Sequence, residues 1–421
     1  MACLKNKSGC KKRRPRRTLR QQGTPHATGL HNLAGDCLLG GEMDTSSVLM
    51  KNLKAGQLYL VFALLALNSC IAAQSPPAAQ EARTGRLSQR IPAADARFHY
   101  QGRIDYSDTN GPVIIWQASQ ISIDFEGDAL GLLFDDAKGQ NFFNAQVDGS
   151  NTVVEVKEAK MASPATLTGL GPRRHHLVLF KRSEANTGTV RFRGIEIAPR
   201  VRTWAPVLPH YKLTMEFIGD SITVGACNED GATDQWDDRR THNCALSYAT
   251  LTAAAFPADY RNIAVSGMGI VTGWVPMKAD EIWNRLYPST NSPLASLHTW
   301  TPNVVFVNLG ENDDSFPRAH GQPFPAGFTD GYVALVRDIR AAYPDAGIVL
   351  LRGGMFGGAQ SEPLRQAWES AVTQLEATDK GVSHFVFKHW TSTHPRAADD
   401  RIMADELIAW LKQQDFMQPY R

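Results

Sequence analysis

The stretch LTMEFIGDSITVGAC, residues 213–227, decides how the rest of the chain is read. Its apolar run of Leu213, Met215, Phe217 and Ile218 stops at Gly219, Asp220 and Ser221 and resumes with Ile222, Thr223 and Val224. That pattern predicts a buried strand, a tight turn and a helix start, with Ser221 on the turn. In an open α/β sheet such a position faces the crevice beyond the carboxyl ends of the strands. The amides that open the following helix carry unpaired N–H groups and the positive end of the helix dipole, so a serine there has donors for an anion beside it. Asp220 and Ser221 also suit a helix cap with no chemistry attached. The remainder of the chain decides between these readings.

Beyond Ser221 the pattern alternates. Helical spacing over 246–256, 328–342, 364–377 and 395–413 separates short apolar runs over 260–265, 303–309, 347–351 and 382–387. Nearly continuous apolar strands alternating with helices predict a parallel sheet covered on both faces, a flavodoxin-like three-layer α/β domain over 210–421. Ser221, Gly267, Asn312 and the loop before Pro395 each fall just after a strand, and therefore on one edge of that sheet. That edge holds what a serine needs to attack an ester. His394 is a base, with His389 the other histidine there. The amides of Ser221 and Gly267 and the side-chain amide of Asn312 are donors for an oxyanion. Singly, His394 reads as a histidine at a helix start, Asn312 as a turn cap and Gly267 as a bend; their joint occurrence at successive strand ends favours hydrolysis.

The region before this domain has a different period. Short runs of alternating apolar residues, among them 121–125, 130–134, 142–147, 176–180 and 189–195, are separated by turn formers at Asn110, Gly111, Asp148, Gly149 and Pro172. They predict an all-β sandwich of the jelly-roll kind over 91–205, with Trp116 and the phenylalanines in its core.

The first ninety residues read as leader and tether. A basic block, Lys11 to Arg17, has the composition of a nuclear signal or a nucleic-acid patch, but it precedes Met50, the expected true start. After Met50 come Lys51 and Lys54, an apolar run over 58–67, and small residues through Ala73: a secretory signal too short to span a bilayer. Residues 1–49 are then upstream sequence read in frame, or at most a discarded extension, with 50–73 the signal and 74–90 a linker. Cleavage after Ala73 releases a soluble protein; the competing reading takes Asn68, Ser69 and Cys70 as a bacterial lipobox with a lipid anchor on Cys70. Both place the chain outside the cytosol, as a secreted or periplasmic protein or an outer-membrane lipoprotein, with no nucleic-acid partner and no transmembrane segment. Cleavage after Ala73 leaves only Cys227 and Cys244 of the six cysteines in the mature chain. In an oxidising compartment they are candidates for a disulfide contributing about 3 kcal/mol, with two buried free thiols as the alternative. No Cys or His spacing suggests a metal site.

At this point the residues match a known pattern. Gly219-Asp220-Ser221, Gly267, Gly310-Glu311-Asn312-Asp313 and His394-Pro395 resemble, in order, the four blocks of the SGNH or GDSL-type hydrolases. With the jelly-roll in front, the chain resembles carbohydrate esterase family 2, secreted two-domain enzymes that remove acetyl groups from plant polysaccharides such as xylan and glucomannan. The resemblance implies Ser221 as nucleophile, His394 as general base and then acid, and Gly267 and Asn312 completing the oxyanion site, with no cofactor. It implies an acetylated polysaccharide as substrate and is compatible with a monomer. Such enzymes commonly carry an aspartate three residues before the histidine, where this chain has Thr391. The expectation is therefore a Ser–His dyad whose imidazole is held by a backbone carbonyl or by Thr391. Trp274 and Trp390, in the same loops, are candidates for stacking on a sugar ring, with core packing the plainer reading. Two alternatives stand beside the esterase. One is a lipase or lysophospholipase on the same scaffold, for which no lid-like apolar helix is visible; the other is a non-catalytic glycan-binding protein, supported only by the departure at Thr391.

Overall fold

The computed structural model describes residues 86–157 and 165–420. The segments expected to be the upstream extension, the signal with Cys70 and most of the linker lie outside the described residues. Among those described, no helix is long and apolar enough to cross a membrane.

Among the described residues, twelve strands form the N-terminal part: β1 (Gln89–Pro92), β2 (His99–Gln101), β3 (Ile104–Asp105), β4 (Val113–Ile114), β5 (Gln120–Glu126), β6 (Ala129–Gly139), β7 (Asn141–Val147), β8 (Ser150–Val156), β9 (Ala165–Thr168), β10 (Arg174–Lys181), β11 (Gly188–Ile197) and β12 (Thr203–Trp204). One antiparallel sheet runs β3-β4-β11-β6-β9 with β1 on β11, the other β12-β5-β10-β7-β8 with β2 on β5. The period of two seen in the sequence is the reason they pack face to face: Ile121, Ile123 and Phe125, Leu177 and Leu179, and Val190 and Phe192 all point into one core. Asp148 and Gly149 close the β7–β8 hairpin with φ of 51° and 85°. Both angles are positive, which a two-residue turn matching strand twist requires.

The C-terminal part is built on β13 (Leu213–Gly219), β14 (Ala258–Ala264), β15 (Val304–Asn308), β16 (Gly347–Met355) and β17 (Val382–Thr391), all parallel, in the order β14-β13-β15-β16-β17. Counted within the domain this is 2-1-3-4-5, with its switch point where β13 lies between β14 and β15. The helices are α1 (Ser221–Val224), α2 (Tyr248–Ala255), α3 (Ala279–Ile282), α4 (Glu311–Ala319), α5 (Phe328–Ala342), α6 (Phe356–Gln360), α7 (Glu362–Thr378) and α8 (Ala397–Leu411). Alternate strand residues feed two faces. Ile218, Val305, Val307 and Leu350 pack with Leu335, Ile339 and Trp368 of α5 and α7. Phe217, Phe306, Val349 and Leu351 pack with Tyr248 of α2 and Met403 and Leu407 of α8. The α4 helix departs from the sequence pattern because all but one of the residues it buries are polar: Glu311, Asn312, Asp313 and Asp314, beside Pro317.

The two parts share an interior. Ile115, Trp116 and Ala185 of the sandwich belong to the same apolar cluster as the α5 face of the parallel sheet. The Trp116 indole donates to the Leu286 carbonyl (2.8 Å), and the Gln117 amide to Asn262 Oδ1 and the Ala264 carbonyl. Trp116 thus fills the junction, where the sequence pattern placed it in the sandwich core. Arg103, from the turn before β3, pairs with Glu216 of β13 at 3.0 Å, their side chains only 2% and 0% exposed. Removing one partner of such a pair strands the other charge in the interior. Arg103→Ala is expected to cost about 3–5 kcal/mol of unfolding free energy, read by urea titration.

Candidate active site

Ser221 stands where β13 ends and α1 begins. Asp220 caps the helix through its side chain, which accepts from the Ile222 amide (3.1 Å). A Cβ at Gly219 would lie 2.1 Å from Thr223 Oγ1, so the tightness of the turn demands glycine there. Ser221 is 4% exposed and its Oγ lies 2.9 Å from His394 Nε2. The imidazole reaches it from the loop between β17 and α8.

The other side of the imidazole corrects the expectation of a dyad. His394 Nδ1 lies 2.7 Å from Asp234 Oδ2, and the His394 backbone N–H donates to the same oxygen (3.2 Å). Neither Thr391 nor a backbone carbonyl holds this ring: the Thr391 hydroxyl donates to the Thr393 carbonyl (2.6 Å), which ties the turn rather than the histidine. Asp234 arrives from the polar loop between α1 and α2, some 160 residues upstream of His394. Its second oxygen accepts from Arg396 Nη1 (2.8 Å). Partial burial alone would raise this carboxyl, but the His394 hydrogen bond and charge, with Arg396, hold it well below the usual carboxylate range. An ionised carboxylate on Nδ1 leaves Nε2 free to take a proton from Ser221.

A cavity of about 510 Å³ opens on these atoms, lined by Ser221, His394, Gly267, Asn312, Trp236 and Trp274 among others. Gly267 has φ of +82°, and a Cβ there would meet Trp274 Cβ at 3.0 Å, so glycine is required. Asn312 Nδ2 donates to Asp220 Oδ2 (3.1 Å) and the Met268 carbonyl (2.9 Å), which fixes its amide beside the Ser221 turn. Of the two tryptophans picked from the sequence, Trp274 lines the cavity, its indole N–H donating to Ser315 Oγ (3.0 Å). Trp390 is not among the lining residues and packs edge-on against Phe356 instead. Sequence reading passed over Trp236, whose ring meets the His394 imidazole edge-to-face at 5.0 Å.

Acidic residues of the Gly310-Glu311-Asn312-Asp313 block hold loops. Asp313 accepts from the amides of Ile270, Val271 and Thr272 at 2.7–3.0 Å, pinning the segment just after Gly267. Burial pushes its carboxyl up, to about 6, against the pull of those three donors. An amide in its place would turn an NH₂ toward at least one of them. Asp313→Asn is therefore expected to destabilise the fold by about 1–3 kcal/mol, the cost of a buried donor left unmet, as a lowered thermal midpoint.

Cys227 and Cys244 are both buried free thiols, which overturns the disulfide expectation. Cys227 Sγ instead faces the Gln235 carbonyl and His242 Nε2 (both 3.5 Å), and Cys244 Sγ faces Thr250 Oγ1 (3.7 Å). Two trios, Cys227 with Asp234 and His394 and Cys227 with Asp230 and His242, bring ligand atoms within 4.8 Å of one another, close enough to hold a metal ion. Linear spacing did not reveal them, because their members come from separate loops.

Residues 100–206 match the family model described as carbohydrate esterase 2 N-terminal, and 217–407 that of the GDSL-like lipase/acylhydrolase family. An acetylxylan esterase/glucomannan deacetylase of Cellvibrio japonicus is 32% identical over 354 residues, which is 78% of this chain and 95% of that protein. The chain belongs to carbohydrate esterase family 2. A cellulase/esterase of Acetivibrio thermocellus, CelE, is 31% identical over 325 residues; the match covers 74% of this chain but only 39% of that longer protein. A family two carbohydrate esterase from Clostridium thermocellum, solved with cellohexaose, shares 30% identity at a TM-score of 0.66, covering 75% of this chain and 98% of that one. Membership agrees with the sandwich-plus-parallel-sheet architecture, and the match over 217–407 spans all four sequence blocks on which the resemblance rested.

Proposed function

We propose that this family 2 esterase removes O-acetyl groups from plant polysaccharide, acetylated xylan or glucomannan, through a Ser221–His394–Asp234 relay, and does so outside the cytosol. The observation that carries the reading is the unbroken relay, 2.9 Å from Ser221 Oγ to His394 Nε2 and 2.7 Å from Nδ1 to Asp234, opening on a cavity with a tryptophan wall. The names of the Cellvibrio relatives support the substrate class.

Ser221 Oγ attacks the acetyl carbonyl carbon as His394 Nε2 takes its proton, and Asp234 stabilises the imidazolium that forms. The oxyanion falls to the amides of Ser221 and Gly267 and to Asn312, which gives up one of its present partners to reach it. The bond to the sugar oxygen then breaks, and His394 returns the proton to that oxygen. Water, deprotonated by His394, attacks the acetyl-serine; the bond to Ser221 Oγ breaks as His394 returns the proton to that oxygen, and acetate leaves. Asp234 also removes the one feature that favoured a non-catalytic glycan-binding protein.

The test is acetate release from acetylated xylan and glucomannan beside fatty-acid release from a long-chain phospholipid. Acetate from the polysaccharides is the expected result. Fatty acid without acetate would overturn the reading in favour of a lipase.

A further inference from the structure

The sandwich domain also reaches the cavity. Glu184, in the loop after β10, is 1% exposed and is one of the lining residues. Its Oε2 accepts from the Ser266 amide (2.9 Å), which ties the sandwich to the turn that carries Gly267. Its Oε1 is buried and has no hydrogen-bond partner among the described residues. The nearest cation is Arg239 Nη1 at 3.8 Å, from the polar loop on the other side of the domain junction, and that nitrogen is equally without a partner. Arg239 lines the cavity too, with its guanidinium over the Trp236 ring at 4.9 Å. The sandwich fixes this loop by a second route, since Gln140 accepts from the Arg239 amide (2.9 Å) and donates to the Asp237 carbonyl (2.7 Å).

Buried polar atoms are nearly always paired. Here an anionic acceptor and a cationic donor face each other across a gap too long for a hydrogen bond. A hydroxyl fits that gap, because it donates and accepts at once. Placed at about 2.8 Å from each atom, its oxygen forms the apex of a triangle on the 3.8 Å base.

We propose that Glu184 and Arg239 form a binding subsite for a free hydroxyl of the sugar whose acetyl group meets Ser221, so that the sandwich domain takes part in choosing the substrate. The subsite rests on the reading of this cavity as the place where an acetylated sugar is held. A simple aryl acetate has no hydroxyl to offer there, which separates the two classes of substrate.

The experiment compares kcat/KM for an acetylated xylo-oligosaccharide with that for 4-nitrophenyl acetate in the wild type and in Glu184→Gln, with thermal unfolding as the check on folding. Glutamine keeps an acceptor for the Ser266 amide but replaces the anionic oxygen facing Arg239. The expected result is that the ratio of the two constants, sugar over aryl ester, falls by about tenfold or more, chiefly through KM on the sugar. Arg239→Met, which keeps the bulk and loses the donor, should lower the same ratio. An unchanged ratio in both variants, whatever happens to the absolute rates, overturns the subsite while leaving the esterase reading intact. A wild-type protein that turns over the aryl ester and releases no acetate from any acetylated sugar overturns the substrate reading and the subsite together.

Discussion

Ser221→Ala is expected to lower acetate release by about 10⁵-fold or more, with the thermal midpoint unchanged. The hydroxyl is the atom that bonds to the acetyl carbon, and losing it leaves the oxyanion donors and the binding cavity with nothing to activate. Alanine in its place keeps α1 intact, since the cap comes from Asp220 and the turn from Gly219. Residual activity above about 1% of wild type in a folded variant would mean that another group attacks the ester, and the relay would lose its meaning.

Asp234→Asn is expected to lower kcat by about 10³–10⁴-fold with little change in KM, the scale on which an orienting carboxylate matters in other serine hydrolases. Asparagine occupies the same volume but offers no charge to the imidazolium, and its NH₂ can turn toward Nδ1 and force the wrong tautomer. The variant also weakens the Arg396 contact, so stability is measured alongside. A structural role alone would lower the thermal midpoint and spare kcat in the folded fraction. Thr391→Val is the control: its hydroxyl serves the Thr393 carbonyl, and its loss should alter kcat less than about threefold. If Thr391→Val proved the more damaging of the two, the assignment of Asp234 would fall.

Much of this was legible in the chain because it depends on period. Apolar runs of four to seven residues interleaved with helical spacing fix a parallel sheet, and a parallel sheet puts Ser221, Gly267, Asn312 and His394 on one edge whatever the loops do. Asp234 was not legible for the complementary reason. Its loop also carries Asp230, Asp237 and Asp238, has no period, and shows nothing in its order to tell which carboxylate the fold will turn inward. The distance of 160 positions to His394 hides the partnership further. Between a bond and two free thiols at Cys227 and Cys244 the sequence could not choose, because closeness in sequence says nothing about the direction of a side chain. Cys227 sits at φ of 57°, and its thiol is directed at His242 and Gln235. The helix α4 was hidden because its inward face is largely acidic: Asp313 accepts from the amides of Ile270, Val271 and Thr272, Glu311 from those of Gly357 and Gly358 at the start of α6, and Asp314 pairs with Arg318.

The indole of Trp116 lies in the same apolar cluster as α5 and β15, on the far side of a chain boundary that composition alone would mark as a seam. A module joined by a tether can be cut away or exchanged for another without harm to its neighbour. Here excision of the sandwich would pull a ring out of the other half's interior and leave a hole of that shape facing water. Cutting the chain at that seam is therefore expected to cost the remaining half stability, not merely a neighbour.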